Sequence, residues 1–460
     1  MLTETPASKV NALRRCFEGG ETRPIAWRQK QLAALESMLR DNEAAIFEAM
    51  ATDLSKSQTE TYATEIGLLY SEIRHARRHL KSWMKAQRVS TGLHNLPGKA
   101  WTKPEPLGVV LIIAPWNYPL MLALSPLIGA LAAGNCALIK PSEMTPSVSR
   151  LLAEMVARSF SRSVVQVVEG GVEETTQLLR ERFDHIFFTG SEAVGRIVMR
   201  AASEHLTPIT LELGGKCPCI LTSSADIKVA ARRIAWGKTL NAGQTCVAPD
   251  YLIALPGTSE VFKREFTRQI KSFFGEDSQN SKSYPRIVND QHFDRLARML
   301  SEESISYGGQ SDREDRFIAP TLLENLPVDA PALTDEIFGP ILPVIEVADL
   351  KEAIDHINAR PKPLSLYLFS NDTDEQRRVA EATRSGTMLI NDVVMQFGTT
   401  TVPFGGVGSS GMGQSHGKAS FDAFSHHKSI MRKPFWGEVK LRYAPYTKRQ
   451  ERLIRLLFGR

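Results

Sequence analysis

Cys246 closes the run Asn241-Ala242-Gly243-Gln244-Thr245-Cys246, in which small and amide-bearing residues let backbone come close to a substrate. Upstream, Leu211-Glu212-Leu213-Gly214-Gly215-Lys216 offers one carboxylate beside a glycine pair. A cysteine nucleophile and a separate base that activates water suit the making and then the hydrolysis of a thioester. A single Cys and a single Glu occur together in most proteins, so the weight falls on the wording around them.

Two further segments read as a nucleotide site. Phe187-Phe188-Thr189 ends a strand, and Gly190-Ser191-Glu192-Ala193-Val194-Gly195 opens a helix, whose free N–H groups and partial positive charge suit a pyrophosphate. The usual G-x-G-x-x-G fingerprint is absent, and Arg196-Ile197 stands where a phosphate-binding P-loop needs Lys-Ser/Thr. A glycine at this place also serves close helix–sheet packing. In Lys140-Pro141-Ser142-Glu143 a lysine and a carboxylate at a strand end can bind vicinal ribose hydroxyls, or form a solvated turn. Cys217-Pro218-Cys219 lacks the two-residue spacer and the His/Cys partners of a metal site, so it reads as small buried residues at a domain seam, and no metal is expected.

The elements that must hold these groups alternate. Leu32, Leu35, Leu39, Ile46 and Met50 keep one helical face, and Ile66, Leu69, Ile73, Ala76, Leu80 and Trp83 keep a second. Residues 87–103 break into Gly, Pro and polar residues, as in a loop or protruding hairpin. The continuous apolar run at 109–113 marks a strand covered on both faces. More strands are predicted at 137–140, 164–168, 185–188 and 209–211, with helices at 120–133, 147–158 and 192–202. Such repetition implies an α/β fold with a Rossmann-like, mainly parallel sheet, its ligands outside the carboxyl ends of the strands. Asn117, Lys140, Gly190 and Glu212 all fall there. Beyond a boundary at 213–216 the pattern restarts, with strands at 219–221, 251–253 and 365–369 and helices at 227–240, 260–273 and 350–358. The glycine-rich 404–413 reads as a loop. The expected division is 1–213, with a hairpin near 87–105, then 214–405 and 406–460.

Bulk properties narrow the class. A net charge of +5 spread along 460 residues leaves no nucleic-acid footprint. Five cysteines, an odd number in a long chain, argue against a disulfide framework, and the N-terminus shows no secretory pattern, so a reducing cytoplasm is the expected setting. The apolar stretches 107–114 and 120–133 are separated by Pro115 and Asn117, and neither reaches the roughly 20 residues of a membrane span. The tail at 452–460 is basic and amphipathic, suited to a membrane surface or to packing on its own protein or a sister subunit.

These motifs, in order, resemble the aldehyde dehydrogenase superfamily. The likeness runs through Pro106-Leu107-Gly108, Pro115-Trp116-Asn117-Tyr118-Pro119, the two cofactor segments, the glutamate and cysteine motifs, Glu336-Ile337-Phe338-Gly339-Pro340 and Pro403-Phe404-Gly405-Gly406. Cys246-Val247-Ala248-Pro249-Asp250-Tyr251, Asn391-Asp392-Val393-Val394 and His416-Gly417-Lys418 point to the class 3, fatty or aromatic aldehyde branch. Gly413-Gln414-Ser415-His416 departs from it, standing where many class 3 members carry an arginine and a tyrosine before the histidine. The resemblance implies NAD(P)-dependent oxidation of a medium- or long-chain aliphatic or aromatic aldehyde to the acid. It casts Cys246 as nucleophile, Glu212 as base and Asn117 as part of the oxyanion cradle. Trp116, Lys140, Glu143, Gly190, Ser191, Gly195, Leu213, Glu336 and Phe338 would hold NAD, with NADP also admitted, and Tyr118 and His416 would border the substrate channel. It also implies a cofactor domain over 1–213 whose hairpin near 87–105 is a bridging one, a catalytic α/β domain over 214–405 carrying the cysteine, a bridging arm and tail over 406–460, and a homodimer, to which Phe421, Phe424, Phe435 and Trp436 would offer apolar surface. An acylating relative that passes the acyl group to coenzyme A is the enzymatic alternative, which Glu212 opposes. A structural protein on the same fold would have no reason to keep Cys246, Asn117 and Glu212 together.

Overall fold

The computed structural model describes residues 5–300, 304–438 and 440–459. Met1, Leu2, Thr3 and Glu4, where the secretory reading begins, and Arg460 of the basic tail lie outside the described residues.

Val109–Ile113 and Cys136–Lys140 are buried at every position and pair in parallel, as their unbroken apolar runs require. They centre a six-stranded sheet in the order Gly411–Met412, Ile209–Glu212, His185–Thr189, Val109–Ile113, Cys136–Lys140, Val165–Val167. Only the Gly411–Met412 edge runs antiparallel. The chain leaves Val109–Ile113 in one direction and returns beside it at His185–Thr189, so the order reverses there. The crevice at such a reversal is where parallel sheets bind ligands. Asn117 follows one of these two strands and Gly190 the other.

A second, seven-stranded sheet runs Ile305–Tyr307, Thr321–Leu323, Ile341–Glu346, Tyr251–Ala254, Pro218–Leu221, Ser365–Phe369, Thr387–Ile390, parallel except at the first pair. The chain passes from the first sheet to the second between Glu212 and Pro218, which sets the 211–216 motif at the junction.

Of four readings, the hairpin holds and three change. The first apolar face is split between helices Ile25–Asp41 and Glu43–Leu54, because Asn42 leaves helical geometry and its Nδ2 bonds back to Met38 O (2.8 Å). The 87–103 stretch is a hairpin, Gln87–Val89 against Lys99–Pro106, extended by Ser425–Arg432 into an antiparallel sheet. The glycine-rich loop contains a short strand, Gly411–Met412, because its backbone finds the open edge of Ile209–Glu212, which needs no side-chain pattern.

The fourth concerns the arm. Phe421 and Phe424 are not surface for a partner: both are fully buried within the chain. The helix Gly417–Ala423 carries them onto the core around the six-stranded sheet, with Phe421 against Trp83 (5.6 Å between rings) and Phe424 against His185 (5.1 Å) and Phe187 (5.9 Å). Asn135 Nδ2 also donates to Phe424 O (2.9 Å). Phe435 and Trp436 are exposed. Phe424→Ala is therefore expected to lower unfolding free energy by about 3–5 kcal/mol, measured by denaturant titration, without dependence on protein concentration. A concentration-dependent loss would put the ring at a subunit contact instead.

Candidate active site

Helix Ile227–Thr239 feeds a turn in which Asn241 (φ 51°), Ala242 (φ 51°) and Gly243 (φ 74°) are all left-handed. Side-chain residues in that region cost of order 1–2 kcal/mol each, so the turn must be held from outside. Asn241 N donates to Glu60 Oε1 (2.7 Å), and Gln244 bonds Asn241 O, Arg286 O and Val288 N (3.0 Å each). A Cβ on Gly243 would stand 2.2 Å from Gly339 O, so only glycine lets these backbones meet. The turn delivers Cys246 to a point where two cavities of about 330 and 240 Å³ adjoin, and Cys246 lines both.

Burial, then the nearby Glu336 and Glu212 carboxylates, push the Cys246 thiol up to about 12, while the backbone N–H groups of Cys246 and Val247 pull it down. Cys217, buried in the second core, donates its thiol to Cys246 O (3.4 Å) and so packs against the turn that carries Cys246.

Asn117 is bound from both ends. Its Nδ2 donates to Gln244 O (3.1 Å), and its carbonyl accepts from Asn241 Nδ2 (2.8 Å) and Lys56 Nζ (2.9 Å). Nδ2 carries a second N–H, and Asn117 lines the larger cavity beside Cys246. Lys56 in turn pairs with Glu65 Oε1 (2.8 Å), both fully buried, and Glu65 Oε2 accepts Leu120 N (3.0 Å) and Met121 N (3.1 Å). Sequence reading passed over Lys56, Glu60 and Glu65. Glu65 lies in a short π-helical segment, Tyr62–Ile66, a geometry frequent at functional sites.

Glu212 ends its strand nearly buried in the same cavity wall. Burial pushes its carboxyl up to about 8, opposed by the Ser415 hydroxyl, which donates to Oε1 (3.0 Å). Oε2 has no hydrogen-bond partner among the described residues. Ser415 was read only as part of a departing segment, with no role.

The larger cavity runs between the sheets, lined by Trp116, Thr189, Gly190, Ser191, Leu213, Glu336 and Phe338 together with His292 and Arg295, which the sequence did not signal. Ser191 caps helix Glu192–Ser203 by accepting from Val194 N (3.4 Å). Gly195 lies one turn in, packed on Leu213 rather than facing the cavity; a Cβ there would fall 2.8 Å from Leu213 Cδ2. Lys140 and Glu143 lie away from this cavity's lining, with Nζ and carboxylate 3.6 Å apart and Glu143 half exposed. Glu336 sits against the backbone of Gly214, where a Cβ would fall 2.3 Å from its Oε2. Burial and the Asp250 charge push Glu336 up to about 7, and the Gly215 N–H pulls it down. Arg295 donates to Glu336 O (3.3 Å) and Ile337 O (2.6 Å), fixing the loop that brings Phe338 against Trp116 (5.4 Å between rings). A helix N-terminus, a half-exposed carboxylate beside a lysine, and a second carboxylate against a glycine, in a cavity also lined by Trp116 and Phe338, fit the phosphates and riboses of a dinucleotide.

The smaller cavity is apolar, lined by Ala63, Leu68, Tyr118, Trp236, Leu240, Val247, Val394, Met395 and Phe397. Tyr118 belongs to it, its hydroxyl bonded to Thr245 Oγ1 (2.7 Å). His416 does not. It is buried behind this wall, its ring stacked on Phe404 (5.3 Å) and edge-on to Phe397 (5.1 Å), because the Gly411–Met412 pairing and the arm helix draw it inward. Burial lowers its imidazole to about 4, so it stays neutral.

The aldehyde dehydrogenase family model matches residues 4–430. Rat (Rattus norvegicus) aldehyde dehydrogenase family 3 member A2 is 46% identical over 439 residues, covering 95% of this chain and 91% of that protein. The 4,4'-diaponeurosporen-aldehyde dehydrogenase of Staphylococcus aureus is 47% identical over 432 residues, 94% of each. A solved structure of Staphylococcus aureus AldH in its substrate-bound state superposes with a TM-score of 0.96 at 45% identity, covering 98% of this chain and 99% of that one.

With its thiol held near 12, Cys246 in the free protein is expected to alkylate slowly at pH 7, about tenfold faster for each pH unit up to pH 9. Mass spectrometry of the Cys246 peptide after iodoacetamide checks this; a plateau below pH 9 would mean that burial does not hold the thiol protonated.

Proposed function

The chain belongs to the aldehyde dehydrogenase family, and on that premise we propose that Cys246, Asn117 and Glu212 carry out its NAD(P)-dependent oxidation of an aldehyde to a carboxylic acid. Neither acyl transfer to coenzyme A nor a purely structural role is favoured. The observation that carries the residue assignment is the meeting of a dinucleotide-shaped cleft and an apolar channel at one sulfur, with a buried carboxylate beside it.

The Cys246 thiol gives its proton to cavity water, the sulfur bonds to the aldehyde carbon as the carbonyl π bond opens, and the oxygen, now an alkoxide, lies between the Asn117 amide and the Cys246 N–H. Donors fixed in advance where charge develops are worth about 100- to 1,000-fold each in rate. Trp116, Leu213, Gly190, Ser191, Glu336 and Phe338, with Lys140 and Glu143 at the ribose end, would hold NAD(P), which would supply the hydride acceptor. Cys246 is then left as a thioester. Glu212 takes a proton from water, the water oxygen bonds to the acyl carbon, and the carbon–sulfur bond breaks to return the thiolate. Glu143 accepts hydrogen bonds from ribose hydroxyls and repels a 2′-phosphate, which favours NAD over NADP. The apolar lining of the channel fits an aliphatic chain or an aromatic ring.

The domain reading that accompanies this mechanism assigns the cofactor to 1–213 and the nucleophile to 214–405. Five free thiols suit a reducing compartment such as the cytoplasm. No helix among the described residues is long and apolar enough to cross a membrane. A homodimer is supported by exposed Phe435 and Trp436 and by the exposed terminal strand Ser425–Arg432, which lies at the open edge of its sheet. The exposed basic helix Lys448–Leu457 offers at most a weak membrane-surface contact.

Two variants test the chemistry. Cys246→Ala should retain cofactor binding and less than a few per cent of the dehydrogenase rate. Glu212→Gln should give one burst of reduced cofactor and then stall, because only deacylation needs the base. Rapid-mixing absorbance at saturating aldehyde reads both, and a Glu212→Gln enzyme with neither burst nor turnover would remove Glu212 from the deacylation step. For the assembly, light scattering at micromolar concentration should show twice the 51.1 kDa chain mass. Removal of the residues after Lys433 should weaken the dimer, and a monomer in the full-length protein would exclude it.

A further inference from the structure

Ser415 lies in the short segment where this chain departs from its family's wording, and the fold brings it to the proposed base. Its backbone is fixed by reciprocal bonds with Phe404, Ser415 N to Phe404 O (2.7 Å) and Phe404 N to Ser415 O (3.1 Å). From that anchor its hydroxyl reaches two oxygens, Glu212 Oε1 at 3.0 Å and Phe404 O at 3.3 Å. A hydroxyl has one proton and two lone pairs, so it cannot donate to both at once. While Glu212 is a carboxylate, the proton belongs on Oε1. Once Glu212 has taken a proton, the hydroxyl can turn to Phe404 O and accept from the carboxyl O–H. Both charge states of the base are thus satisfied without moving a heavy atom.

A void of about 20 Å³ adjoins Glu212, Ser415, Cys246, Thr189 and His416. Glu212 Oε2, Thr189 Oγ1 and His416 Nδ1 are buried without hydrogen-bond partners among the described residues. The void has room for about one water, and buried waters typically make about three hydrogen bonds to such atoms.

We propose that Ser415 is a positioning residue for deacylation: its hydroxyl pins Glu212 Oε1 in either protonation state and leaves Oε2 turned to a water site shared with Thr189 and His416 beside the Cys246 sulfur. The inference rests on Glu212 being the base. Loss of the hydroxyl removes a donor that favours the carboxylate, so the carboxyl titrates higher and less base is present at a given pH; the deacylation limb moves up in pH. The direction agrees with the hydroxyl's opposition to the upward push of burial on Glu212.

The test uses p-nitrophenyl acetate without cofactor. Cys246 takes the acetyl group and releases p-nitrophenolate in a burst; hydrolysis of the acetyl-enzyme then sets the steady rate, followed from pH 6 to 10. Ser415→Ala is expected to keep the wild-type burst amplitude, deacylate about tenfold more slowly at pH 7, and reach half its maximal rate about one pH unit higher. Ser415→Thr, which keeps the hydroxyl, should restore the profile. If Ser415→Ala melts out, Ser415→Cys, a weaker donor of similar size, should show a smaller shift in the same direction. Wild-type rate and pH dependence in the alanine variant, or in the cysteine variant where that one replaces it, would overturn the proposal. An absent burst in the wild-type protein would instead overturn the Cys246 assignment on which it stands.

Discussion

A buried ion pair holds this site together. Lys56 and Glu65, both without solvent exposure, join three segments far apart in sequence: Lys56 bonds the Asn117 carbonyl, Glu65 receives the first N–H groups of helix Met121–Ala133, and that same Asn117 carbonyl takes the Asn241 amide from the cysteine turn. Burying two charges is costly, and removing one partner of such a pair typically costs about 3–5 kcal/mol because the other is stranded. The arrangement repays this by fixing the amide donor relative to the sulfur. A donor to a developing alkoxide must be in place beforehand; the bonds at the Asn117 carbonyl fix its backbone, and the bond from Nδ2 to Gln244 O orients its amide.

The same dryness sets the proton inventory. Cys246, Glu212 and Glu336 all lie in the walls where the cavities meet, and burial is the largest influence on each, raising all three. Three acidic groups that each resist ionisation do not pile up negative charge in one small volume. The groups that favour ionisation are local and specific: N–H donors at the sulfur, the Ser415 hydroxyl at Glu212 and the Gly215 N–H at Glu336. Each acts on one residue, so the Cys246 thiol and the Glu212 carboxyl can be tuned separately although they share a cavity.

The two sheets meet at the site: the first presents strand ends and a helix N-terminus, and the apolar channel is walled by the π-helical segment, Tyr118, the end of helix Ile227–Thr239 and the segments at 245–247 and 394–398. Glycines make the contact between them close enough: Gly214 admits Glu336, and Gly243 admits the backbone of Gly339. Lys216 reinforces the seam, bonding Asp250 (2.7 Å), Ala332 O (2.8 Å) and Asp335 O (2.9 Å) so that the loop carrying Glu336 stays fixed.

What the sequence alone determined was what is written locally. Parallel strands covered on both faces must be continuous apolar runs, so Val109–Ile113, Cys136–Lys140 and Ser365–Phe369 were legible, as were the helices packed on them and the signature wording around Cys246 and Glu212. Strands with mixed or marginal patterns were not, such as Ile341–Glu346 with its proline and the half-buried Thr387–Ile390. The tertiary structure decided every relation across long separations: Lys56 under Asn117, Ser415 on Glu212, His416 behind the channel wall, Phe421 and Phe424 turned into their own core. A helix face or an aromatic run declares only that something must cover it. Whether the cover comes from the same chain or another, and which distant hydroxyl reaches a carboxylate, is fixed by packing geometry that leaves no periodicity in the residues that take part.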